Sequence, residues 1–129
     1  MLNTDIKTRD KLIFGKFEPM KYCGGIRQFE GMSLETLDTL LANNFADKEE
    51  RQNESPTIAE FRNFMQKHPG YTAHGYTVEL AREDYRVTIE GLEKPEGYES
   101  AQELEDFVEA FRFADDFAAS NEHMFCWYD

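Results

Sequence analysis

The sequence predicts an α+β fold of two layers, in which a small antiparallel sheet built around a β-hairpin (about residues 72–80 and 85–91) packs against three helices (about 34–45, 58–68 and 101–118). Three observations predict it. Three stretches repeat apolar residues at helical spacing behind a Ser or Thr cap. One stretch alternates apolar and polar residues on both sides of a short polar loop. The chain also has 129 residues, 40% of them hydrophobic and 11 of them Phe, which suffices for one core and reads as a single domain, 1–129.

Residues 1–31 carry the weakest pattern. Leu12–Phe17 and Ile26–Phe29 read as short strands, and Pro19 and Gly24-Gly25 interrupt anything longer. The first helix opens at Ser33, with Met32 placed to staple onto Leu37, and lines up Leu34, Leu37, Leu40, Leu41 and Phe45 on one face. The second opens at Thr57, where Glu60 completes a capping box; it buries Ile58, Phe61, Phe64 and Met65 and stops at Pro69-Gly70.

In the hairpin a loop at 81–84 sets Leu80 opposite Tyr85, Val78 opposite Val87 and Tyr76 opposite Ile89 on the inner face. Glu79 then meets Arg86, and Thr77 meets Thr88, outside. The third helix starts at Ser100 with Glu103 closing a second box. Its stripe is Leu104, Phe107, Phe111, Ala114 and Ala118, with Phe113 and Phe117 at the edge to receive the aromatic segment Met124–Tyr128. A lone hairpin is marginal, so a further strand is expected from 11–17, 26–29 or 124–128.

The net charge of −12 is unevenly spread: about +2 over residues 1–30, about −5 over 31–90 and about −9 over 91–129. Such a field repels phosphate backbones, which excludes direct nucleic-acid binding. No stretch approaches the roughly 18 apolar residues of a membrane span, and the charged N-terminal segment has no signal-like run. A cytoplasmic protein is expected, with Cys23 and Cys126 as reduced thiols.

Cys23, followed by Gly24-Gly25, offers a thiol on a flexible turn, with His74 as its base. A small Cys beside a Gly turn serves packing equally well, and His74 reads as well as a half-buried histidine near the hairpin end, opposite Gly91. His123 and Cys126 share a metal if the chain turns helically there, although zinc wants about four ligands and only Cys23 is another obvious one. Phe113, Phe117, Trp127 and Tyr128 are aromatics available to a partner. There is no Gly-rich phosphate loop, GxSxG elbow or HExxH helix, and no cofactor is expected.

Together these features point to a non-enzymatic interaction or accessory protein whose acidic, aromatic-bordered surface meets a basic protein partner. One version is an inhibitor whose carboxylates imitate nucleic-acid phosphates toward a basic enzyme. The alternative is a small thiol-dependent hydrolase using Cys23 and His74. No signature of a particular oligomeric state is present.

Overall fold

Ser33, Thr57 and Ser100 each cap a helix in the computed structural model, which describes residues 1–129. Their hydroxyls accept the backbone N–H three residues on, at 3.1, 3.2 and 3.1 Å, and so satisfy donors that a helix start leaves free. Thr57 and Glu60 form the full capping box. At Ser100 the box is not completed, because Glu103 turns away to accept the N–H of Glu99 and the ammonium of Lys94.

Four helices, α1 (Ile6–Phe14), α2 (Leu34–Ala42), α3 (Ile58–Lys67) and α4 (Ala101–Phe111), accompany a five-stranded antiparallel sheet. Its strands are β1 (Ile26–Met32), β2 (Thr72–Val78), β3 (Val87–Lys94), β4 (Asp116–Ala119) and β5 (Met124–Trp127), in the spatial order β1-β2-β3-β5-β4. This is the two-layer α+β fold that the sequence predicts. The core joins Leu37 and Leu40 of α2, Phe61 and Phe64 of α3 and Phe107 and Phe111 of α4 to Phe29, Ala73, Ile89, Leu92, Met124 and Cys126 of the sheet. Its aromatic rings pack edge to face or stacked, with centroids 5.0 Å apart for both Phe64–Phe111 and Phe107–Phe111.

Several predicted boundaries are corrected. Leu12–Phe14 closes α1 and is not a strand. That helix escapes apolar periodicity because it buries charge: Arg9 and Asp10 are fully enclosed, pair at 2.9 Å and share the Tyr22 hydroxyl. Arg9 also donates to the carbonyl of Val78 at 3.0 Å, which ties α1 to the sheet. Helix α2 ends at Ala42, short of 45, and Asn44 at φ 60° turns Phe45 back into the core. Helix α4 ends at Phe111, well short of 118. Residues 116–119 leave it to pair with β5, since strand hydrogen bonds and the packing of Phe117 on Phe107 outweigh the helix preference of Ala118 and Ala119.

The hairpin carries a correction of face. His74 stands opposite Gly91, as the sequence predicts, but the register then slips and Glu90 is left unpaired, so Gly75 meets Ile89 and Thr77 meets Val87. Strand β3 turns its expected side chains, Val87 and Ile89, to the core. Strand β2 sends Ala73 and Thr77 inward, while Tyr76 lies outside the core, bonded to Gln52 and Arg86; Val78, expected inside, is fully buried as well. A one-residue bulge inverts one strand relative to its neighbour. The aromatic end of the chain does not dock on a helix arc either. It inserts as β5 between β3 and β4.

Candidate functional site

Period-two alternation along β5 sends Met124 and Cys126 into the core and turns Phe125 and Trp127 the other way. There they help to line an open groove of about 560 Å³. Its remaining walls include Ile13 and Phe14 at the end of α1, Arg27, Gln28 and Glu30 of β1, Thr72 and His74 of β2, and Glu90 and Glu93 of β3.

The bulge positions Glu90. Glu90 has no partner on β2, its carbonyl accepts the N–H of Tyr128 at 2.8 Å, and its side chain lines the groove together with Trp127. Burial holds the Glu90 carboxyl above the ordinary carboxylate range, Trp127 opposes the rise, and the charge of Asp129 adds to it.

His74 lies over Gly91 and stacks on Phe125, centroids 5.2 Å apart and planes 9° from parallel. Its Nε2 is 3.0 Å from the carbonyl oxygen of Cys126, and a carbonyl only accepts, so Nε2 bears the proton. Burial lowers the pKa of His74, against the Cys126 carbonyl and the charges of Glu93 and Glu30, and the imidazole is neutral at neutral pH. His123 also stacks on Phe125, at 5.9 Å, and bonds Glu93 at 2.7 Å. At the β1 end, Arg27 lies 3.7 Å over the Phe14 ring and reaches Glu18 at 3.4 Å. Three carboxylates, Glu30, Glu90 and Glu93, thus line the groove with a single Arg or Lys, Arg27.

The other predicted site residues fall elsewhere. Cys23 is exposed and bridges Ile26, which pairs with Val78; His74 is four residues farther along β2, roughly 13 Å at strand rise. The structure therefore does not bring the thiol and the imidazole together. His123 and Cys126 do not converge on a metal, because the segment is a strand and their side chains leave opposite faces. Cys126 is sealed in the core, accepts the N–H of Leu92 at 3.4 Å, and has its thiol pushed up to about 12 by burial.

Among the aromatics, Tyr128 is core, Phe117 packs on Phe107, and Phe113 is 83% exposed beside Arg112 at the turn after α4. Only Trp127 reaches the groove. Protein-family models, curated proteins and solved structures offer no match to this chain. No helix is long and apolar enough to cross a membrane.

Sequence reasoning passes over Glu90, Glu93, Phe125 and Arg27. For Phe125 the signal was present in the alternation Met-Phe-Cys-Trp at 124–127, which reads as a strand with one apolar and one aromatic face. For Glu90 there was none, since a bulge is a property of two strands together.

Proposed function

We propose that this chain is a non-enzymatic interaction protein, cytoplasmic and free of cofactors, that holds a basic segment of a partner protein in the acidic, aromatic-lined groove. The observation that carries this reading is Glu90: a half-buried carboxylate that lines the groove with Trp127, Glu30 and Glu93 and that no Lys or Arg of the chain neutralises. Taking a carboxylate partly out of water costs free energy, and a cation arriving from outside returns it. The net charge of −12 draws a basic partner in and repels nucleic acid. The unpaired thiols Cys23 and Cys126 suit a reducing compartment.

Titration of the isotope-labelled protein with short basic peptides, followed by backbone and indole NMR shifts, tests the reading. Shifts should concentrate at His74, Glu90, Phe125 and Trp127 and fade as salt rises from about 50 to 500 mM, because the attraction is electrostatic. Shifts spread evenly over the acidic surface, or none at low salt, overturn it.

A further inference from the structure

We infer that the groove contains an arginine slot, in which the guanidinium of a partner's arginine lies against the Trp127 indole and pairs with the Glu90 carboxylate. The inference rests on the reading of the groove as the site of a basic partner and names the side chain that fills it.

The chain's own cations show the pattern. Arg9 lies 4.8 Å from the Tyr85 ring and pairs with Asp10 at 2.9 Å. Arg27 lies 3.7 Å from the Phe14 ring and pairs with Glu18 at 3.4 Å. Arg86 lies 5.4 Å from the Tyr76 ring and pairs with Glu50 at 3.3 Å. Arg9 and Arg27 are each shared between an aromatic ring and a carboxylate, the arrangement in which stacking and charge act together, whereas Arg86 approaches from the ring edge and bonds the Tyr76 hydroxyl at 2.7 Å.

Trp127 and Glu90 are the same two parts without the cation. Phe125 and Glu93, beside them, are already engaged: His74 and His123 stack on the ring, and His123 holds the carboxylate. The Trp127 ring, by contrast, has neither an aromatic nor a cationic partner, and it lines the groove together with Glu90.

Arginine fits this pair of side chains better than lysine does. A guanidinium is planar, so it lies flat on an indole while its edge donates two hydrogen bonds to one carboxylate; an ammonium is a compact, strongly hydrated charge that does neither. The surrounding carboxylates add a field of the right sign, and Arg27, the one cation in the walls, lies on Phe14 and reaches Glu18, although its buried Nη1 has no hydrogen-bond partner.

Trp127 is the only tryptophan, so its fluorescence reports this site alone. The full-length protein is titrated at low salt with three blocked tripeptides that differ at the central residue: arginine, lysine and citrulline. The arginine peptide should change the emission saturably, the lysine peptide should bind about tenfold more weakly, and citrulline, planar but uncharged, should not bind. Glu90→Gln should weaken arginine binding at least about tenfold without lowering the melting temperature of the free protein. Equal affinity for arginine and lysine, strong binding of citrulline, or unchanged binding in Glu90→Gln overturns the slot while leaving the basic-partner reading intact. Failure of both cationic peptides to bind overturns the two together. The three-peptide comparison on the unaltered chain decides the matter even where Glu90→Gln disturbs folding.

Discussion

The imidazole of His74 rests on Gly91, so closely that a Cβ built there would lie 2.7 Å from Cε1 of His74 and would run into the carbonyl oxygen of Cys126. The absent side chain is what lets the ring cross β3 and bond the backbone of β5. Gly91→Ala should therefore cost at least about 2 kcal/mol, as overpacking against backbone does, and should separate His74 from Phe125. Chemical denaturation gives the first quantity, and the ring-current shift of the His74 protons gives the second. A neutral substitution would show that the two strands have room to part.

The ammonium of Lys94 sits 3.0 Å from Glu103, with only 3% and 6% of the two side chains exposed, and Glu103 also accepts the hydroxyl of Tyr71 at 2.8 Å. Removing Glu103 leaves the buried ammonium only the exposed carboxylate of Glu99, at 3.3 Å. Glu103→Gln should destabilise by roughly 3–5 kcal/mol, whereas the double change Lys94→Met with Glu103→Leu should cost far less. Equal losses for single and double variants would mean that water reaches the pair.

Asp106 holds a folded-state pKa of about 2, lowered first by the bond from His68 at 2.8 Å and then by Gln102 and Lys67. A depressed carboxylate contributes stability that is fully present above its unfolded value of 3.8 and is lost as the pH falls through the folded value. Asp106→Asn should consequently flatten the fall in melting temperature between pH 4 and pH 2 relative to the parent chain. A parallel fall in both proteins would remove the carboxylate from the acid response.

The two thiols should differ sharply in reactivity. Cys23 is exposed and Cys126 is fully buried with its thiol pushed up to about 12, so a thiol reagent at pH 8 should label one cysteine at once and the second only at the rate of unfolding. Prompt labelling of both would show that β5 opens locally.

Much of this fold is legible in the residues alone, and the legible parts share a cause. The caps at Ser33, Thr57 and Ser100 act over three residues, and the apolar face of α3 repeats within two turns, so neighbours in sequence suffice to specify them. The same holds for the hairpin strands, whose alternation marks β2 and β3 whatever lies beside them.

Tertiary structure decided the rest, because each remaining feature depends on residues far apart in the chain. Helix α1 is held by Arg9 reaching Val78 and by Tyr22 reaching Thr77, contacts that apolar periodicity does not register. The end of α4 is set by β5, which offers Asp116–Ala119 a strand partner in place of another helical turn. The groove draws on Phe14, Arg27, His74, Glu90 and Trp127, more than a hundred residues of chain, and its carboxylate is aimed by a bulge that exists only where two strands disagree by one residue. Local chemistry specified which elements form, and only the packing of the sheet determined which side chains face one another across it.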